Sequence, residues 1–274
     1  MPNIRELDPG ASPLNFYGSE LRRLRLAAQL TLDELGAKVY CTGSLIGQIE
    51  TARKVPTREF TERIDTALGT DGTLMRVWEL VMRSQLPGWF RPYAELEAKA
   101  THIYSFEAQV VPGLLQTPEY ARATLGVMQQ KRLVERVAAR LERQRILDRE
   151  EPPVFWAVIG EAALHQQIGG PKAMRGQLAH LLSFRDHDWV QIQVMPFTAG
   201  AHAGLPGSFK ILRFEKDPDI VYDEAYGPGH MTANPQEVKG RSLRYDHLRA
   251  AALSVEDSAE LIARVMEDRY AEQA

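Results

Sequence analysis

A single cysteine, Cys41, stands among 274 residues. It excludes an intrachain disulfide and any zinc or iron–sulfur cage built from several cysteines, and it fits a reducing compartment. Long hydrophobic runs are also missing. The longest apolar stretch, around Val154 to Gly160, is far short of the roughly 20 residues of a membrane-spanning helix. The opening run MPNIRELDPGASPLNFYG has charges and prolines where a signal peptide needs an apolar core, so a cytoplasmic protein without membrane contact is expected. Nor is there an excess of charge of one sign. Lys and Arg total 33 against 36 Asp and Glu, a formal net charge of −3. Residues 1–85 carry 11 basic and 11 acidic side chains, and the remainder 22 and 25. Any affinity for nucleic acid must come from where charge is placed. Internal repeats and low-complexity runs are absent. The glycine-containing segments GGPK (169–172) and TAGAHAGLPG (198–207) lack the order of a phosphate-binding loop.

What is present divides in two. A length prior of about 150 residues per domain suggests two domains. Residues 1–17 read as a flexible leader, 18–85 as a five-helix domain, 86–92 as a linker and 93–274 as an α+β domain. Leu21, Leu24 and Ala28 recur at helical spacing. Thr31 with Glu34 has the spacing of a capping box and starts a second helix holding Leu35 and Val39 inward. Thr42 caps a third helix with Ile46 and Ile49 on one face. A fourth runs from about Arg58 to Leu68 and ends at Gly69, and a fifth follows from about Gly72 to Arg83. The linker SQLPGWFRP is punctuated by Pro87, Gly88 and Pro92. Beyond it, helices are expected from Tyr93, Pro118 and Lys131, with an extended stretch at 103–110. PVFWAVIG, WVQIQVMP, GSFKILRF and DIVYDEA are strand candidates, rich in β-branched and aromatic residues. One helix lies near 172–183 and two more near 236–252 and 255–270. The fold class is mostly α with α+β, the sheet mixed or antiparallel.

Two helices of about eight residues, beginning near Thr31 and Thr42 and joined by a short turn, match the helix-turn-helix plan. The run RLRLAAQLTLDELGAKVYCTGSLIGQIETARKVPT resembles the DNA-binding domain of phage lambda and 434 repressors and their bacterial relatives, the XRE family. The resemblance spans roughly Gly18 to Leu68 and rests most on the order of Leu24, Arg25, Leu35, Ala37, Ile46, Ile49 and Glu50. It implies a structural ion pair between Arg25 and Glu50, and groove-facing positions at Thr42, Gly43, Ser44 and Gln48. The Gln48 amide suits adenine N6 and N7. Thr31 and neighbouring amides are expected to meet phosphate, and Arg53 and Lys54 to supply a sequence-independent grip. Two departures stand out. Leu32 replaces a frequent glutamine, and Tyr40 takes a turn position often held by glycine, which calls for a positive φ. Gly43 and Gly47 weaken a helix by up to about 1 kcal/mol each. Either they permit close approach to DNA, or the helix firms up on binding.

The segments YAELEAKATHIYSFEAQVVPGLLQTPEYARATLG and MPFTAGAHAGLPGSFKILRF resemble the C-terminal domain of WhiJ-like regulators of actinomycete bacteria. That resemblance implies a transcription regulator whose C-terminal domain receives a signal from a ligand or from a small partner protein encoded nearby. A homodimer on a two-fold double-stranded DNA site is expected, since one recognition helix makes few base contacts. The alternative is an antitoxin-like interaction adaptor that mainly holds a small partner, with vestigial DNA binding. No nucleophile–base–orienter set is present, so the chain is read as no enzyme, without cofactor or metal. Trp89, Phe90 and His202 are candidates for a ligand or partner pocket. Asp186, His187 and Asp188 read as a solvated loop, Glu161 with His165 as a surface pair one turn apart, and Cys41 as a small buried side chain.

Overall fold

A computed structural model describes residues 7–86, 88, 90–127, 132–223 and 229–271. By its internal contacts the chain divides into two units, Met1–Pro87 with Val134–Ala139, and Gly88–Leu133 with Arg140–Ala274.

The first unit begins earlier than the sequence suggests. Helix α1 spans Pro13–Ala27, its first five residues falling in the expected leader, because Ser12 Oγ accepts from Asn15 N and Pro13 fits the first helical position. Its buried stripe is Leu14, Tyr17, Leu21 and Arg25, with Leu24 half-buried; Ala28 lies on the exposed side. Helices α2 (Leu32–Lys38) and α3 (Gly43–Glu50) are capped by Thr31 and Thr42, and the Thr31–Glu34 capping box is complete. Thr57 caps α4 (Arg58–Leu68), which ends at Gly69 with φ 63°. Helix α5 (Thr73–Gln85) has no side-chain cap of its own, since Gly72 precedes it. The buried Asp65 of α4 takes that place, accepting from Leu74 N at 3.0 Å and Met75 N at 2.8 Å. Five amphipathic faces close around Tyr17, Leu21, Leu35, Ile46, Ile49, Phe60, Ile64 and Trp78.

The second unit is built on a mixed sheet. Its strands are β1 (His102–Glu107), β2 (Val154–Gly160), β3 (Val190–Met195), β4 (Phe209–Arg213), β5 (Ile220–Asp223) and β6 (His230–Thr232), in the order β3-β2-β1-β4-β5-β6. β1, β2 and β3 are parallel, whereas β4, β5 and β6 continue antiparallel. The three-residue β6 has no alternating apolar pattern and was not anticipated. The helices of this unit are α6 (Arg91–Glu97), α7 (Pro118–Gly126), α9 (Ala162–His165), α10 (Pro171–Leu182), α11 (Pro235–Ala251) and α12 (Val255–Tyr270), while α8 (Leu133–Gln144) is divided, its residues 134–139 counting with the first unit. Helix α6 starts at Arg91, within the expected linker, because proline at position 92 is tolerated in a first turn.

Side chains alternate between the two sheet faces. Phe106, Val158, Phe209, Ile211 and Val221 meet Val238, Tyr245 and Leu248 of α11 on one face. Ile103, Phe155, Ala157, Ile159 and Leu212 are buried on the other. The exposed edge of β3 is blunted, since Val194 N donates to Ser258 Oγ and Val194 O accepts from Leu253 N, both at 2.9 Å.

Candidate nucleic-acid interface

The approach of α2 to α3 depends on two glycines. A Cβ on Gly36 would lie 2.7 Å from the Cys41 carbonyl oxygen and 3.0 Å from Gly43 N. A Cβ on Gly43 would run into the Asp33 carboxylate, with Asp33 N 2.9 Å away. Gly43 is therefore buried against the start of α2, a correction to the groove-facing position expected for it. Gly47 also turns toward α2, its Cβ position 3.5 Å from Leu32 Cδ1, an ordinary contact. Packing between the two helices therefore requires glycine at 43, whereas at 47 it leaves room for a methyl group. The turn itself carries Tyr40 at φ 57° with its side chain 88% exposed.

What α3 leaves exposed is a short polar face. Ile46 and Ile49 point inward, while Thr42, Ser44 and Gln48 are exposed. Gln48 Nε2 donates to Ser44 Oγ at 3.4 Å, a weak bond that water or a base edge can replace. Thr42 Oγ1 accepts from Leu45 N, so its hydroxyl proton stays available outward.

Three elements are locked behind that face. Arg25 Nε and Nη2 donate to the two oxygens of Glu50 at 2.5 and 2.9 Å, and Arg25 Nη1 donates to Leu30 O at 2.7 Å. Arg22 adds a second cation, its Nε 3.5 Å from Glu50 Oε2. One carboxylate, 2% exposed, thereby ties the end of α3 to α1 and to the α1–α2 connection. The hydrogen bond to Glu50 holds the Arg25 guanidinium above its ordinary pKa.

After α3, Ala52 at φ 52° turns the chain, and Arg53 and Lys54 follow, both exposed and without an ion pair among the described residues. The loop is pinned just beyond them by buried Val55 and Pro56, the Pro56 carbonyl accepting from Trp78 Nε1 at 2.8 Å. The start of α2 is different. Thr31 Oγ1 accepts from Glu34 N and Thr31 N donates to the Glu34 carboxylate at 2.7 Å, while Asp33 occupies the same first turn. Thr31 caps α2 as its spacing predicts and stays exposed, while two carboxylates share that helix end and weaken its attraction for a phosphate. Burial pushes the pKa of the nearby Cys41 thiol up, and the charge of Arg63 partly opposes this.

In the second unit the pocket candidates do not converge. Trp89 lies outside the described residues. Phe90 is buried at the start of α6, with its ring 5.2 Å from Tyr93 and 6.0 Å from Tyr222 and the Arg143 guanidinium 4.9 Å above it. It belongs to a core cluster, and the pocket expected to join it to His202 is corrected accordingly. His202 instead lines a groove beside α11, whose partner residues the sequence reading missed. Their signal was the spacing of Gly240, Leu243, Arg244 and His247 along one helix face. Glu161 and His165 do meet, at 3.3 Å, and Glu161 also accepts from Phe197 N at 2.7 Å. No helix among the described residues is long and apolar enough to cross a membrane.

Residues 17–78 match a family described as "Helix-turn-helix domain", which supports DNA binding. Residues 90–264 match "Domain of unknown function (DUF5753)". No curated protein and no solved structure matches the chain.

Proposed function

The chain belongs to the DUF5753 family and carries a helix-turn-helix domain ahead of that family's domain, and on this premise we propose that it is a sequence-specific transcriptional regulator of the XRE, lambda and 434 repressor kind. The observation that carries the reading is α3 itself. Its inner side is buried, its end is clamped by Arg25 and Glu50, and its outer side presents Thr42, Ser44 and Gln48 to solvent. In this reading α3 lies in the major groove. Gln48 reads adenine through its amide, exchanging one donated and one accepted bond. Thr42 and Ser44 flank it, and Arg53 and Lys54 grip phosphate from the following loop.

A single helix this short makes few base contacts, so the protein binds as a homodimer on two half-sites one helical turn apart or a multiple of it. The α+β unit, which resembles the WhiJ-like C-terminal domain, receives a signal from a ligand or a small partner protein and performs no catalysis. The competing adaptor reading drew on Leu32, in place of a frequent glutamine, and on Gly43 and Gly47 as defects of α3; the two glycines lie against α2, and no observation favours it.

Selection from a random duplex library with the purified full chain tests the proposal. The expected result is an enriched two-fold motif with half-sites spaced by a whole helical turn. Binding without any enriched motif, at low and at moderate salt alike, contradicts it.

A further inference from the structure

Helix α11 turns one face to a groove. Gly240, Leu243, Arg244 and His247 follow at i, i+3, i+4 and i+7, and across from them runs the loop between β3 and β4, with His202 and Leu205. The space between is open to solvent along its length and measures about 530 Å³. Its two walls bear leucines that a folded chain would ordinarily cover, Leu205 at 67% and Leu243 at 60% exposure. No carboxylate lines it among the described residues.

The polar groups in this groove all favour an anion. On the same helix Arg241 is engaged with Asp223 and Arg249 lies over the Trp156 ring, but Arg244 has no hydrogen bond or ion pair among the described residues. His202 is held in place: its ring stands edge-on to Phe106, and its Nδ1 accepts from Gly204 N at 3.1 Å. That bond leaves the proton of the neutral ring on Nε2, as a donor. Gly204 is pressed against the Phe106 ring so closely that no Cβ fits there, which fixes the loop. Opposite, a Cβ on Gly240 would meet nothing within 4 Å, so the floor of the groove is open space.

We infer that this groove binds a small organic acid. Its carboxylate faces Arg244 with the His202 and His247 imidazoles beside it, and its short apolar body lies over Gly240 between Leu205 and Leu243. The inference deepens the signal-receiving role proposed for the α+β unit and rests on that reading for its consequence, but binding is measured directly and without DNA.

Calorimetry on the full chain with octanoate, octan-1-ol, octylammonium and acetate tests it. Octanoate is expected to bind at one saturable site, and each of the other three about tenfold more weakly or less, because each lacks either the charge or the apolar body. Arg244→Gln is expected to lower octanoate affinity about tenfold or more. Gly240→Leu fills the groove and is expected to do the same. That variant is expected to fold, since a Cβ there meets nothing within 4 Å and leucine favours helix over glycine. Equal melting temperatures check both variants. Absence of saturable octanoate binding, equal binding of octan-1-ol, or octanoate affinity unchanged in either variant would overturn the inference. If octanoate binds as described yet leaves affinity for the selected DNA unchanged, the acid site stands and the signal-receiving reading falls.

Discussion

Gly43 and Gly47 are four residues apart on the same short helix, yet alanine is expected to have opposite effects at the two. Alanine relieves a helix glycine of about 1 kcal/mol of backbone cost. At Gly47 the added methyl makes only an ordinary contact with Leu32, so Gly47→Ala is expected to stabilise the chain by up to about 1 kcal/mol. At Gly43 it would collide with the Asp33 carboxylate and crowd Asp33 N, so Gly43→Ala is expected to destabilise by about 1–3 kcal/mol, as overpacking does. Urea midpoints of the two variants decide the matter. Both moving in one direction would contradict the packing described. The sequence alone left these glycines ambiguous, because helix propensity is local whereas the Asp33 backbone comes from another element. Arg25 and Glu50 were legible through the resemblance to the repressor family, which pairs these two positions, and the buried bidentate contact gives the physical reason.

At the scale of the element, the helices of the first unit were readable because their ends are written in hydroxyls. Thr31, Thr42 and Thr57 each cap the helix that follows, and Gly69 stops α4. The start of α5 was less legible, since its cap is Asp65, from α4. In the sheet, long β-branched runs marked β2 and β3, whereas β6 has only three residues and pairs through its backbone. The loop after α3 carries a prediction of its own. Replacing Arg53 and Lys54 together by alanine is expected to weaken binding to all duplexes alike and to reduce the slope of log affinity against log salt by about 2 per bound chain. Titrations at several salt concentrations read this. An altered base preference at unchanged slope would contradict the phosphate role.

Helix α10 carries a second. Burial pulls the His180 pKa below its ordinary 6.5, so the native chain holds this ring neutral. As pH falls below 6.5 the unfolded chain takes up the proton first, and stability present above that value is lost toward the lowered native pKa. His180→Gln is expected to abolish this part, so the stability difference between wild type and variant changes below pH 6.5 and is constant above it. Denaturant midpoints over a pH series check this. A difference independent of pH contradicts it.

For the whole molecule, composition was the least informative level. A net charge of −3, and equal basic and acidic counts in residues 1–85, gave no sign of a polyanionic partner. The sign lies in placement, with Arg53 and Lys54 exposed just past α3 while Arg22 and Arg25 are turned to Glu50. The groove beside α11 was only half legible for a similar reason: the spacing of Gly240, Leu243, Arg244 and His247 marks one helix face, but that His202 faces it follows only from the fold.

The central claim is that α3 reads bases, and the most direct test is to measure the base preference of wild type and Gln48→Ala at every position of the selected site. The account predicts that the variant loses preference at one base per half-site, at a cost of about 1–3 kcal/mol there, with every other position unchanged. An identical preference at all positions in the folded variant would contradict it.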